Sequence, residues 1–237
     1  MSHYCKLFLI LFIVALAVST TAQAQDALRY EGAQPDLPGM LQLDFGFNFL
    51  SNAPDSMDTR IWGSRGFNIY YLYPVIPMKD GSKISLHTGL GLGFVNYSFE
   101  NGVTLNDTQD STSIIPLDRD VYPSLQKTQL SVHYLDIPLE LRFFAKDNYR
   151  GFTCALGGRV GRMINSYTKI KFEEGGTDKE DKFKRRYNLN PWRYGAYAKL
   201  GFRGITLTGQ YMFSELFTPD EGPKVNNYKL GVTIGLF

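Results

Sequence analysis

From residue 40 onwards the chain is dominated by stretches in which apolar and non-apolar residues alternate one by one. In the first of them, Leu41, Leu43, Phe45, Phe47 and Phe49 share one face. Successive side chains of a β-strand point to opposite faces, so a period of two predicts strands. Eight such stretches occur, over residues 41–49, 67–73, 84–94, 126–144, 152–161, 194–203, 205–213 and 228–236. The pattern predicts an all-β chain.

The connections between the predicted strands alternate between short and long. Tight turns are expected at Lys79–Ser82, Asp147–Asn148 and Arg203–Gly204. The other connections are long and polar, and they cover residues 51–65, 100–125, 172–191 and 218–226. Short periplasmic turns and long outer loops are typical of outer-membrane barrels. The chain is therefore predicted to form an eight-stranded antiparallel up-and-down transmembrane β-barrel.

The non-apolar face decides whether such a barrel meets water or lipid. A soluble barrel buries its apolar face, whereas a membrane barrel turns that face outwards. Here the non-apolar face is rich in glycine with isolated charges, which suits a narrow, wet lumen. The lumenal polar cluster predicted there, in a structural role, comprises Asp44, His133, Asp136, Glu140, Arg142, Arg159, Lys199, Arg203 and Lys229. A soluble periplasmic or secreted barrel is the alternative, with the two faces exchanged.

Composition and charge remove several classes of protein. The chain carries 25 Lys+Arg against 23 Asp+Glu, a net charge of +2, which excludes a basic nucleic-acid-binding module. Two cysteines can form neither a disulfide scaffold nor a four-ligand zinc site. The 15 Tyr, 17 Phe and 23 Gly suit strands whose faces alternate between bulky and small residues.

The first 24 residues are predicted to be a cleaved signal peptide. Lys6 precedes an apolar run from Leu7 to Val18, and Ala22-Gln23-Ala24 supplies the small-x-small pattern before cleavage. As a helix the run is only about 18 Å long, too short for a hydrocarbon core of about 30 Å. Residues 25–39 would then form a periplasmic N-terminal tail and residues 40–237 the barrel. The predicted location is the cell outer membrane.

The fourth predicted strand changes phase in its middle. Apolar residues fall at even positions up to Tyr134 and at odd positions from Leu135 onwards. One extra residue in the strand would produce this change, so a β-bulge is predicted near these two residues. Asp136 and Glu140 would then form either a re-aimed acidic pocket or a structural kink whose carboxylates pair with lumenal arginines.

The same strand carries a family resemblance. Residues Tyr134–Leu141, with the sequence YLDIPLEL, resemble the YLEIPL signature of PorT-like outer-membrane β-barrel proteins of the Bacteroidota. The general likeness covers nearly all of the mature chain, and the motif-level match is confined to this strand. The resemblance implies an eight-stranded barrel, supplies no catalytic residues, and associates the family's founding member with type IX protein secretion. Expected partners are outer-membrane lipid, lipopolysaccharide and secretion-machinery proteins, with no nucleic acid.

Candidate catalytic and metal-binding groups are few. His87 and His133, both expected in the lumen, could imitate a hydrolase or acyltransferase triad together with Ser131, Asp136 and Glu140. No nucleophile-elbow pattern occurs, and the histidines lack metal-ligand spacing. The chain is therefore expected not to be an enzyme and to have no catalytic, metal or cofactor site.

Two functional classes remain. Side chains fill the interior of an eight-stranded barrel, which disfavours a diffusion pore. The leading hypothesis is a structural or accessory component of outer-membrane traffic, linked to type IX secretion through the resemblance. The alternative is a surface receptor or adhesin that binds through its long outer loops.

Overall fold

The computed structural model describes residues 39–77, 82–108, 111–145, 151–202 and 204–236. The predicted signal peptide, nearly all of the predicted tail, most of the first two tight turns, Arg203 and Phe237 lie outside these ranges. Within them are the strands β1 (Met40–Ser51), β2 (Arg65–Ile76), β3 (Ile84–Phe99), β4 (Val103–Asp107), β5 (Thr112–Pro116), β6 (Leu125–Phe144), β7 (Phe152–Glu174), β8 (Thr177–Phe183), β9 (Trp192–Phe202), β10 (Ile205–Glu215) and β11 (Asn226–Leu236). A short 3₁₀ helix covers Asp55–Met57. No helix in the described part of the chain has the length and apolarity needed to cross a membrane.

Eight of these strands close into an antiparallel ring. Their hydrogen-bonded order is β6–β3–β2–β1–β11–β10–β9–β7, and β7 pairs back with β6. The last strand closes on the first, from Leu41 opposite Leu236 to Ser51 opposite Asn226. Consecutive ring strands are neighbours, so the up-and-down barrel predicted from the period-two pattern is confirmed.

Apolar side chains cover the outside of the ring. Leu90 is 58% exposed and Leu207 is 69% exposed. Other exposed members of this apolar belt are Phe45, Leu135, Ile137, Leu139, Leu156, Val160, Tyr194, Leu200, Phe213 and Leu230. A continuous apolar surface of this kind is rare on soluble proteins and is what lipid-facing strands present. The faces are therefore those of the predicted membrane barrel, not of the soluble alternative.

Two strands extend well beyond the belt on the side of the long connections. β6 has 20 residues and β7 has 23, whereas about 9–11 residues cross a membrane. The outer part of β7 also pairs with β8, and β4 pairs with β5 in a separate hairpin. These three short strands lie in segments that were expected to be loops. Their alternation is too brief, within long polar stretches, to be distinguished from loop sequence.

The register shift near Tyr134 lies in β7 rather than in β6. His133 pairs with Asn165 and Tyr134 pairs with Met163, so Ile164 is the extra residue. Even-numbered residues of β6 face inwards from Thr128 to the end of the strand. The prediction of an extra residue in β6 is wrong, because its inward face changes from apolar to charged along its length, which imitates a change of phase.

His133 consequently lies on the outer wall, and its predicted place in the lumen is wrong. Its half-buried ring packs edge-on against Phe94 and Tyr167, with centroid distances of 5.0 and 5.7 Å. The residue is odd-numbered in β6 and so shares the face of Leu135 and Ile137. The supposed phase change had assigned it to the opposite face.

Candidate functional site

The half of the lumen nearer the short turns is filled with charged side chains. In the described ranges three buried carboxylates meet five buried cations: Asp44, Asp136 and Glu140 with Arg142, Arg159, Arg193, Lys199 and Lys229. Seven of the nine predicted cluster residues lie here. Of the other two, His133 is on the outer wall and Arg203 is outside the described residues.

Asp136 of β6 is held by Arg193 of β9, which lies two strands away in the ring, beyond β7. The Nε atom of Arg193 donates to Oδ1 at 2.9 Å and its Nη2 atom donates to Oδ2 at 2.5 Å. The hydroxyl of Tyr70 donates to the same Oδ2 at 3.0 Å. The guanidinium also lies 3.8 Å from the ring centroid of Tyr134. Two-pronged arginine–carboxylate pairs are among the strong hydrogen bonds, so this contact ties β6 to β9 over the inner face of β7.

Glu140, on the same face of β6, binds two cations. Its Oε2 atom accepts a hydrogen bond from Lys199 Nζ at 2.5 Å, and its Oε1 atom accepts one from Arg142 Nε. Lys199 also donates to Gln42 Oε1 at 3.0 Å. A carboxylate buried with two cations satisfies charges that would be costly to bury alone.

Asp44 of β1 completes the polar filling. Its Oδ2 atom accepts hydrogen bonds from Lys229 Nζ at 2.7 Å and from Asn68 Nδ2 at 2.9 Å. Arg159 lies between two acids, with Nη2 4.0 Å from Asp44 and Nη1 3.9 Å from Asp136. Each carboxylate is therefore paired with two buried cations, at least one of which comes from another strand.

Several partners in this network were not predicted from the sequence. They are Gln42, Asn68, Tyr70, Tyr134, Arg193 and Tyr197. Arg193 is in phase with Gly195 and Lys199, so its signal was present one position before the predicted start of the strand. Tyr134 was counted as apolar, and Tyr70 and Tyr197 were not assigned a role. The guanidinium of Arg159 lies 5.0 Å from the centroids of Tyr70 and Tyr197, so the rings serve as partners for charge.

The residues that could imitate a hydrolase triad are not brought together. Ser131 and His133 lie on the outer face of β6, whereas Asp136 points into the lumen. His87 lies in the lumen, where its Nδ1 atom is 3.5 Å from Ser85 Oγ. Among the described residues no group of three or more His, Cys, Asp or Glu side chains is arranged to hold a metal ion.

An apolar core, here called the outer cap, fills the opposite end of the lumen. Its buried members are Met57, Val95, Tyr97, Phe99, Val103, Leu105, Leu130, Val132, Tyr134, Tyr187, Leu189, Leu216, Phe217 and Val225. They come from all four long connections and from the upper parts of β3 and β6. Backbone hydrogen bonds join the connections, including Asn190 N to Leu216 O at 3.0 Å and Thr112 N to Glu221 O at 2.7 Å. The long loops are therefore folded onto one another over the barrel mouth.

An outer cleft of about 330 Å³ opens beside this cap, between the β4–β5 hairpin and the extension formed by β7 and β8. Its lining residues are Thr104, Leu105, Asn106, Ile115, Pro116, Leu117, Asp118, Val121, Tyr122, Thr168, Ile170, Phe183, Arg185 and Tyr187. Three apolar side chains in it are exposed: Ile115 by 38%, Val121 by 60% and Phe183 by 40%. Arg185 Nη1 lies 3.1 Å from Asp107 Oδ1 at its edge.

The polar groups of the outer cleft are fixed by the surrounding strands. Thr112 Oγ1 donates to the carbonyl of Tyr187 at 2.7 Å, and the Tyr187 hydroxyl lies 2.6 Å from Thr168 Oγ1. Burial raises the pKa of Tyr187 and, together with Asp181, that of Tyr122. Both phenols are therefore neutral at physiological pH. The cleft offers hydroxyls and one guanidinium around an apolar floor.

Comparison with known proteins agrees with the architecture. The model of the outer membrane protein beta-barrel domain family matches residues 23–214. No curated protein matches the chain. Ail, the attachment invasion locus protein of Yersinia pestis, is similar at 16% identity, with 84% of this chain and 97% of that chain covered and a TM-score of 0.36. Outer membrane phospholipase A from Escherichia coli is similar at 10% identity, with 86% and 94% covered and a TM-score of 0.25.

The TM-scores of these two structures are too low for either likeness to carry an argument. The family match is of a different kind, because it extends over most of the chain. It also agrees with the closed ring of eight strands and the apolar belt. The chain therefore belongs to the outer membrane protein beta-barrel domain family and is an outer-membrane β-barrel protein.

Proposed function

We propose that this barrel is a non-enzymatic surface-binding protein, a receptor or adhesin, whose recognition site is the outer cleft. The observation that carries the proposal is the cleft itself, in which Val121 and Phe183 stand exposed between folded outer segments. Apolar groups grouped in a concave surface are characteristic of ligand sites. The cleft volume of about 330 Å³ falls at the lower end of the range for such sites.

The chemistry of the cleft indicates the kind of ligand group that it would hold. Ile115, Val121 and Phe183 offer an apolar floor, while the guanidinium of Arg185 can donate hydrogen bonds at its edge. An apolar group beside an oxygen acceptor would match this arrangement, as in a segment of peptide or a substituted sugar. The binding surface is held in place by the outer cap beneath it.

The filled lumen also supports a recognition site on the outer surface. Charged pairs occupy one half and the outer cap the other. Eight-stranded barrels have little room beyond their own side chains. The outer surfaces are thus the parts of the molecule that remain accessible for recognition.

The proposal is tested by screening the full barrel, reconstituted in lipid nanodiscs, against arrayed peptides and glycans. Val121→Glu and Phe183→Glu place a charge in the cleft, and we expect each to weaken binding to the array ligand at least 10-fold. Ile61→Glu is the matched control, since Ile61 is 53% exposed in the β1–β2 connection and does not line the cleft. Failure to bind any arrayed ligand, or equal binding by the cleft variants, would count against the proposal.

A role in outer-membrane traffic, with a link to type IX secretion, is the second candidate. Its support is the PorT-like motif at Tyr134–Leu141. In the structure the inward residues Asp136 and Glu140 of this motif bind Arg193 and Lys199. The motif therefore has a sufficient explanation in lumen packing, which is why we rank secretion second.

The two candidates differ in the proteome of a clean deletion strain. Retention in the periplasm of many normally secreted proteins would favour the traffic role. A normal set of secreted proteins would leave binding by the outer cleft as the supported function. We also propose export through a signal peptide cleaved near Ala24, which the mass of the mature N-terminal peptide would test.

A further inference from the structure

Like charges face each other on the outer side of the extended sheet. Lys127 of β6 lies directly opposite Lys171 of β7, and Lys169 of β7 lies directly opposite Lys182 of β8. Directly opposed like charges destabilise an antiparallel pair. Here two such pairs are adjacent on one face, on strands that lie beyond the apolar belt.

Further cations surround these pairs. Arg60 and Arg65 both act electrostatically on Lys127. The group, here called the basic wall, consists of Arg60, Arg65, Lys127, Lys169, Lys171 and Lys182. Burial, followed by the charges of Arg65 and Lys169, lowers the pKa of Lys127. The attraction between these cations and a bound anion would offset the repulsion among the cations.

Carboxylates compensate the basic wall only in part. Glu180 lies 2.7 Å from Lys169 and 3.8 Å from Lys171. The hydrogen bond from Lys169 lowers the pKa of Glu180, which is therefore a carboxylate at neutral pH. Glu173 and Asp178 face each other further out, at the tip of the β7–β8 hairpin. The bases thus lie nearer the membrane than the acids at the tip.

The height of the basic wall above the belt discriminates between lipid classes. Phe67 of β2 is level with His133 of β6, because both pair with Phe94 of β3. Arg65 lies two residues beyond Phe67, and Lys127 lies six residues beyond His133. With a rise of about 3.3 Å per residue and a tilt of about 40°, these steps correspond to heights of about 5 and 15 Å. A phospholipid headgroup layer is only about 5–8 Å deep. Its phosphates would reach the lowest cations and not the highest.

We propose that the basic wall binds the phosphorylated sugar headgroup of an outer-leaflet glycolipid of the lipopolysaccharide type. Several anionic groups stacked along a sugar chain match cations that extend upwards from the membrane surface. The site is separate from the outer cleft, because Lys169 and Lys182 face the outside whereas Thr168 and Phe183 on the neighbouring positions line the cleft. The glycolipid would lie beside the barrel in the outer leaflet and contact its outer wall.

The test is a titration of the full barrel in nanodiscs with lipopolysaccharide, with phosphatase-treated lipopolysaccharide and with phosphatidylglycerol. The double variant Lys127→Gln/Lys171→Gln is expected to bind lipopolysaccharide roughly 10-fold more weakly than wild type. Lys224→Gln is the control, since the Lys224 side chain is 72% exposed in the β10–β11 connection, away from the wall. Without glycolipid, the double variant should melt no lower than wild type, because the substitutions remove a repulsion.

Specific outcomes would overturn the proposal. They are equal lipopolysaccharide affinity in the double variant and wild type, unchanged affinity after phosphatase treatment, and equally tight binding of phosphatidylglycerol. Capture of a soluble polyanion such as heparin without binding to lipopolysaccharide would also overturn it. The single variant Lys169→Gln provides a second, milder test. Val121→Glu in the cleft should leave glycolipid affinity unchanged. The test of the basic wall can therefore fail or succeed independently of the test of the proposed recognition function.

Discussion

At the scale of single residues, the lumen depends on a few charged pairs that water reaches poorly. Glu140 is 1% exposed and contacts Arg142 and Lys199 together. Removing one partner from a buried ionic group leaves the others uncompensated, which is far more costly than losing a surface pair. The stability of the barrel should therefore be concentrated in such positions rather than in its many exposed ion pairs.

Glu140→Gln keeps the shape of the side chain and removes its charge. We expect the free energy of unfolding to fall by about 3–5 kcal/mol, measured by urea unfolding in lipid vesicles. Asp220→Asn is the control, because Asp220 is exposed and lies 4.0 Å from the equally exposed Lys224. That change should cost at most about 0.5 kcal/mol. Similar losses in the two variants would show that the lumenal pairing is not a main source of stability.

Glycine has a packing role beside the same network. A Cβ added at Gly161 would collide with the carboxylate of Asp136 and approach Arg193, whereas a Cβ at Gly158 on the same strand would have its nearest neighbour at 3.7 Å. Gly161→Ala should destabilise the barrel by about 1–3 kcal/mol, as overpacking does. Gly158→Ala should be nearly neutral. Equal unfolding midpoints for the two variants would contradict the close approach.

At the scale of elements, β7 carries a discontinuity that its partner does not. Below Ile164 its odd residues face the lumen, and above it the even residues do. The extra residue lets one strand serve the charged lumen and the outer extension in a single run.

Deletion of Ile164 would exchange the two faces over one half of β7. Either Arg159 would turn towards lipid or Thr168 and Ile170 would turn away from the outer cleft, and both changes are costly. We expect the deletion to abolish the folded, heat-modifiable band in gel electrophoresis. Ile164→Ala keeps the number of residues and should retain that band. A folded deletion variant would show that the register is not constrained here.

The sequence predicted elements wherever one face kept a single chemical character. In β1 the phenylalanines at 45, 47 and 49 alternate with polar or small residues. This pattern correctly predicted both the strand and the position of Asp44 in the lumen. In β6 the inward face passes from Leu130 to Asp136, and that mixture produced the misplaced bulge and the misplaced His133. Periodicity identifies the two faces of a strand. It cannot distinguish a shift in which residues point inwards from a change in the polarity of the residues on one face.

The outer cleft could not be predicted, for a different reason. Its walls come from residues 104–122 and 168–187, which are distant in sequence and meet only through the fold. The exposed apolar residues Val121 and Phe183 are isolated within polar stretches, where neither has a periodic signal. The lengths of the outer connections indicated where recognition could occur, and their folding determines which side chains face one another.

At the scale of the whole molecule, the apolar belt should be sheltered by lipid. In a Cys154→Ala background, a cysteine in place of Leu207 should react slowly with a hydrophilic maleimide in intact outer membranes, although Leu207 is 69% exposed on the isolated chain. A cysteine in place of the exposed Asp220 should react quickly. Fast labelling at Leu207 in membranes would contradict the orientation of the strands.

A filled lumen leaves the outer surface as the part of the barrel that can act on other molecules. Single wild-type barrels in planar lipid bilayers reveal by their conductance whether the lumen is filled, with a porin reconstituted in the same way as the positive control. We expect no steady conductance above that of the bare bilayer, because the charged pairs around Asp136 and the outer cap occupy the lumen. A stable, ohmic open level would contradict this expectation and would assign the molecule a role as a conduit.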